Sequence, residues 1–122
     1  MKYARIYADK AGESHFDDID IVLTPQNFAP PAPPLNLSVF SPAMQYAFCS
    51  FPAGWRGDWH PVPHRQIFFV LSGEIAGQVS DGELRHFKVG DVVMGEDTSG
   101  KGHVTRVVGK NDVLTVIVQL PD

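Results

Sequence analysis

The chain has 122 residues, of which 43% are hydrophobic and 20% charged, and it carries a net charge of −4. That length suits one domain able to bury most of its surface without a disulfide or a metal, and the composition excludes a disordered chain. The ten basic residues are scattered with no run of them, which argues against nucleic acid as a partner. Cys49 is the only cysteine and stands in an apolar stretch, so it reads as a small core residue, with no internal disulfide to suggest secretion. No apolar run approaches the ~20 residues of a membrane span. No apolar segment follows Met1-Lys2-Tyr3-Ala4-Arg5 in the manner of a signal peptide, so the expected compartment is the cytoplasm.

In chain order, Ile6-Tyr7 and Ile19-Asp20-Ile21-Val22-Leu23 each predict a short strand. Next comes Phe28-Ala29-Pro30-Pro31-Ala32-Pro33-Pro34-Leu35, whose prolines remove amide donors and favour extended backbone. Residues 24–36 read as an arm over the protein surface, with Phe28, Leu35 and Leu37 available for burial. Residues 1–41 are therefore assigned to an N-terminal arm with short strands, and residues 42–122 to the domain proper.

From Ala43 onward strand follows strand. Met44–Phe51, Gln66–Leu71, Ile75–Ser80, Glu83–Val89, Val92–Met94, His103–Val108 and Val113–Gln119 are all short and rich in β-branched and aromatic residues. Asp81-Gly82 is the strongest hairpin signal, and Gly90-Asp91 and Asn111-Asp112 read as turns. No segment holds a capped helical period. Such a series argues an all-β sandwich or barrel.

The chemistry-bearing stretch is Gly54-Trp55-Arg56-Gly57-Asp58-Trp59-His60-Pro61-Val62-Pro63-His64-Arg65-Gln66, continuing to Gly73. Gly54, His60, Gln66 and Gly73 fall on the spacing of the first cupin motif, a glycine followed by His-x-His, a glutamate and a second glycine. Val62 stands where the second histidine belongs, and Gln66 where the glutamate belongs. Gly90 to Glu96, closed by His103, resembles the second cupin motif, with a loop about two residues longer than usual and Val107 in place of the usual asparagine. The resemblance covers residues 43–119. It implies a cupin jelly roll, or double-stranded β-helix barrel, with an interior pocket.

Elementary geometry bears on the same residues. His60, Val62, His64 and Gln66 share parity and would face one side of an extended chain. A straight strand would separate positions 60 and 66 by about 20 Å, so they converge only if the chain bends. Pro61 and Pro63 make an interruption there plausible, and they exclude a helical His60/His64 metal pair. The resemblance implies His60, Gln66 and His103 as ligands, with His64 as a substitute for the missing histidine. Imidazoles plus one oxygen donor suit Zn, Fe, Mn, Ni or Cu. Glutamine neutralises less charge than glutamate, so any metal is expected to be held weakly, and absence of a metal stays open.

Glu96 shares parity with Val92 and Met94 and is the candidate acid or base pointing inward beside the histidines. Asp97 reads as a solvated loop acid. Gly100-Lys101-Gly102 lacks the upstream glycine of a phosphate loop. Trp55, Trp59, Phe68 and Phe69 read as packing, His15 and His86 as surface residues, and Arg65 as facing solvent or a partner copy. Cupins include enzymes and non-catalytic binders, so the fold alone does not decide function. Two readings follow: a small-molecule-binding cupin whose metal, if present, supports catalysis, and a metal-free binding or sensory module. A homodimer using the N-terminal arm is expected, because residues 1–41 hold too little apolar content to form a core alone.

Overall fold

The computed structural model describes residues 1–122, with eleven strands and no helix. The strands are β1 (Lys2–Ala8), β2 (Ser14–Asp20), β3 (Thr24–Gln26), β4 (Leu35–Leu37), β5 (Gln45–Phe51), β6 (Gln66–Ser72), β7 (Glu74–Val79), β8 (Leu84–Phe87), β9 (Val92–Gly95), β10 (His103–Val108) and β11 (Val113–Gln119). The seven strands expected after Ala43 coincide with β5 to β11. Together with β1 and β2 they form a six-stranded sheet in the order β2-β1-β9-β6-β11-β5 and a three-stranded sheet in the order β10-β7-β8. β3 and β4 make a separate ribbon.

Period-two alternation places the core between the two sheets. Along β6, Val70 is buried while Phe69 and Leu71 are exposed, and in β10 Val107 is buried while its neighbours are partly open. The core cluster joins Ala4, Ile6, Phe16, Val70, Val93 and Val113 of the large sheet to Ile75, Val79, Phe87 and Val107 of the small one. Trp55 packs against this cluster, its ring meeting Phe51 edge-on at 5.0 Å.

The N-terminal region divides in a way its composition conceals. Residues 2–20 are not an appendage: β1 lies inside the large sheet, parallel to β9 through Ala4↔Val93 and Ile6↔Gly95 and antiparallel to β2. Ala4, Ile6 and Phe16 belong to the core. The strand expected at Ile19–Leu23 instead runs from Ser14 to Asp20, and Val22 and Leu23 are exposed. Its acidic residues Asp17, Asp18 and Asp20 disguise it, because β2 is an edge strand and can present charge on its open side. The surface arm is residues 21–44, where Phe28, Leu35, Val39, Phe40 and Met44 are all exposed.

The β1–β2 turn is held by charge. The Asp9 carboxylate accepts the amides of Ala11 and Glu13. His15 lies between Asp9 at 2.7 Å and Asp81 at 2.8 Å, which joins the turn to the β7–β8 hairpin. Hydrogen bonds to Asp9 and then Asp81 raise the His15 pKa above its ordinary value near 6.5. A raised folded-state pKa stabilises the fold fully below the unfolded value, and the effect is lost as pH rises through the folded one. Thermal unfolding should therefore show a midpoint that declines as pH rises above about 6.5. The variant His15→Gln should lack that decline; an identical pH profile for both proteins would remove His15 as its source.

Candidate functional site

The segment between β5 and β6 leaves the large sheet, runs along the small one and returns. Its first half lies along the free edge of β10, with Val107 N donating to Trp55 O and Gly57 N to Thr105 O, both at 2.9 Å. His60 and His103 then exchange both backbone hydrogen bonds at 3.0 Å. Pro61 and Pro63 cannot donate and end the pairing. Val62 N turns instead to Asp97 O, and Gln66 enters β6 in the large sheet. This is the bend that proline placement anticipates.

Close approach at this point depends on Gly102. Its φ is +75°, and a Cβ there would stand 2.1 Å from the His60 carbonyl carbon. No side chain fits. The two imidazoles thus meet across the bridge, ring centroids 4.9 Å apart, with His60 exposed and His103 buried.

Behind His103 is a group the sequence reading places wrongly. Asp97 is not a solvated loop acid: it is fully buried, and its Oδ2 lies 2.6 Å from His103 Nδ1. Its other oxygen, Oδ1, is buried without a protein partner. With Asp97 ionised, His103 Nδ1–H donates to it, which fixes the tautomer and leaves Nε2 as an acceptor. The available signal is alternation: Asp97 shares parity with buried Val93 and Gly95.

The same alternation relocates Glu96. It does share parity with Met94, but that side of β9 is the outer one. Its two carboxylate oxygens accept Arg5 Nε and Arg65 Nε, each at 2.6 Å. Burial alone would raise the Glu96 carboxyl, but hydrogen bonds from Arg65 and Arg5 outweigh it and hold the group below the usual carboxylate range. Glu96 therefore clamps β1 to the start of β6 and does not stand beside the histidines.

His64 is also engaged elsewhere, its Nε2 donating to Leu120 O at 3.0 Å. Gln66 is buried in β6, and its Oε1 accepts Gln119 Nε2 at 3.3 Å, extending a row of amides to Gln45. Val62, in the position of the missing histidine, is fully buried against Gly95. Of the expected ligands, then, the structure brings together His60 and His103. No group of three His, Cys, Asp or Glu side chains converges. Two imidazoles fall short of the three protein ligands usual at a catalytic zinc and the four of a structural one, so the residues present do not fit a tightly bound metal.

His103 forms part of the wall of a barrel cavity of about 70 Å³, whose other walls include Phe68, Val70, Ile75, Phe87 and Val93. Thr105 and Thr115 are its other polar residues. A cavity of about 150 Å³ accepts benzene, so this one holds roughly two waters or the end of a larger molecule.

Two facing sheets, antiparallel except for the β1–β9 pair, with a histidine at the mouth and another at the start of the strand beside it, define a cupin barrel. The chain has the cupin fold. Its architecture is similar to a Cupin 2 conserved barrel protein from Salinispora arenicola, at 25% identity and TM-score 0.52, covering 84% of this chain and 78% of that one. It is also similar to the cupin domain of Schizosaccharomyces pombe Cnp3, at 16% identity and TM-score 0.55, covering 89% and 73%. A Salmonella typhimurium protein described as a candidate ethanolamine utilization protein Q matches at 18% identity and TM-score 0.50, over 99% and 96%. No protein-family model and no curated protein matches the chain.

Replacing Glu96 tests the clamp. Glu96→Gln should lower the unfolding free energy by about 1–2 kcal/mol near neutral pH, the lower part of the range for charged hydrogen bonds because all three side chains are partly exposed. A carboxyl held low stabilises the fold above its unfolded pKa and loses that effect as pH falls through the folded one. The difference between the two proteins in urea unfolding should therefore vanish in acid, and a difference that persists there would contradict the clamp.

Proposed function

We propose that this chain binds a small molecule at the mouth of its barrel without a tightly held metal. An apolar end of the ligand enters the cavity, and a hydroxyl or carbonyl group sits at His103 and His60. The observation that carries this reading is the buried Asp97–His103 pair, whose imidazole lines a mostly apolar cavity. A buried carboxylate with one unpartnered oxygen is costly. It orients His103 so that Nε2 can accept a hydrogen bond from the ligand or, once protonated, donate one.

The test is imidazole ¹⁵N NMR, with three- to five-carbon alcohols and ketones as probes. His103 should appear as the Nδ1–H tautomer, and its Nε2 resonance should shift saturably with at least one probe. Asp97→Asn should weaken that response about tenfold or more, the usual effect of removing such an orienting partner. Saturable binding that leaves His103 unmoved would refute the reading.

A second reading is favoured by the same pair, since a carboxylate behind a histidine is the arrangement that orients metal-bound imidazoles. Here Zn, Fe, Mn, Ni or Cu would sit on His60 and His103, with exchangeable ligands completing the sphere. Protein purified without a His tag should then take up Zn²⁺ weakly in calorimetry and lose it on dialysis against chelator. A stoichiometric ion that survives dialysis would overturn the weak-metal expectation.

We also propose that the chain is a homodimer. The two edges of the large sheet differ: β2 carries three aspartates, whereas β5 reads Gln-Tyr-Ala-Phe-Cys-Ser-Phe without a charge. Tyr46 is 72% and Phe48 69% exposed, beside the exposed Phe69, Leu71 and Leu114. An unprotected apolar edge of this kind invites pairing, and the exposed aromatics of the 21–44 arm extend it. Light scattering should give twice the 13.4 kDa chain mass. Phe48→Glu should return it to one chain mass, and a wild-type mass of one chain would refute the dimer.

A further inference from the structure

Of the five arginines, Arg5, Arg65 and Arg85 are paired with carboxylates. Arg56 and Arg106 are not, and they stand directly opposite one another as an antiparallel bridge. The flanking bonds, Gly57 N to Thr105 O and Val107 N to Trp55 O, make this the non-hydrogen-bonded kind of pair. In that geometry the Cα atoms are only about 4.5 Å apart and the side chains are closest. Like charges directly opposite destabilise a sheet. A chain with an excess of acid could have placed a carboxylate here, and it places none.

The pair borders a hollow of about 120 Å³ on the outer face of the small sheet. Gly57, together with Ala76 and Gln78 of β7, Leu84 of β8, and Val104 and Thr105 of β10, completes it, and none of its lining residues is acidic. Arg106 alternates with core Val107 and with Thr105, which borders both spaces, so the hollow lies across the small sheet from the His103 cavity. The Gln78 amide makes only a 3.5 Å contact with Gly82 O and is available as a further donor. At ~30 Å³ per water the hollow holds about four water-sized atoms, as many as the oxygens of a phosphate group.

We propose that Arg56 and Arg106 form a binding site for a phosphate-type oxyanion, separate from the barrel mouth. Two guanidinium forks present several parallel N–H donors, which suit bidentate recognition of a tetrahedral oxyanion. The anion offsets the repulsion that the pair carries when empty. Val104 and Leu84 flank the arginines with apolar surface, so the site suits a phosphomonoester of a small organic molecule as well as free phosphate.

The test uses the full chain and two probes, inorganic phosphate and glycerol phosphate, with chloride at matched ionic strength as control. In ¹H–¹⁵N spectra, the Nε–H signals of Arg56 and Arg106 should move together and saturably with phosphate, and not with chloride. Arg56→Gln and Arg106→Gln should each weaken phosphate binding tenfold or more. In phosphate-free buffer, each variant should unfold at the same or a higher temperature than the wild type, because a like-charge pair has been removed; a destabilised variant would contradict the repulsion. His103→Gln should leave phosphate binding intact, which separates this site from the ligand at the barrel mouth. Tighter binding of glycerol phosphate would identify the ligand as an organic phosphate, and tighter binding of inorganic phosphate would identify the free ion. Linear shifts equal to those in chloride, or unweakened binding in both arginine variants, would overturn the proposal.

Discussion

The two backbone hydrogen bonds between His60 and His103 organise the functional end of this molecule. They join the crossing segment to the β10 edge of the small sheet, and they form because Gly102 leaves room for the His60 carbonyl. Each feature nearby follows from that contact. The imidazoles face one another because residues paired across an antiparallel bridge share a face. Between the His60–His103 and Arg56–Arg106 bridges, the crossing segment spends one residue more than β10. This local bulge changes the parity of the segment, so that histidines face the mouth while arginines face outward.

The exit of β9 shows how little sequence distance is needed to divide two roles. Glu96 and Asp97 are neighbours, yet the pleat sends them to opposite faces. Glu96 meets two arginines at the partly wet surface, where ion pairing holds it charged and ties β1 to β6. Asp97 meets one imidazole in the interior, and its second oxygen is buried without a protein partner. A carboxylate at the surface is a clasp. The same group in the interior is an oriented dipole partner that earns its desolvation cost only through what His103 contacts.

Sheet edges impose a second division. β2 is shielded by aspartates and by the His15 cluster, which closes that side of the large sheet. β5 lacks such protection, and the exposed aromatics around it continue onto the arm. This asymmetry is the basis of the proposed pairing through β5.

The strand series after Ala43 and the bend at Pro61–Pro63 were legible in the sequence, because period-two patterning and proline chemistry are local. So was the approach of His60 to His103, which the spacing of two motifs carried. Other features are settled by the assembled sheets alone. Residues 2–20 became core strands because β9 offers β1 a parallel partner, and a parallel pairing between positions about ninety residues apart leaves no local trace. Parity grouped Glu96 with Met94 and Asp97 with Gly95, but which group faced inward depended on the side from which the small sheet covers β9. His64 and Gln66 had the residue types and spacing of ligands, and Leu120 and Gln119 on the returning β11 end claimed them. A residue's type and its phase along a strand are properties of the sequence; which side is the interior, and which neighbour reaches a side chain first, are decided by tertiary packing.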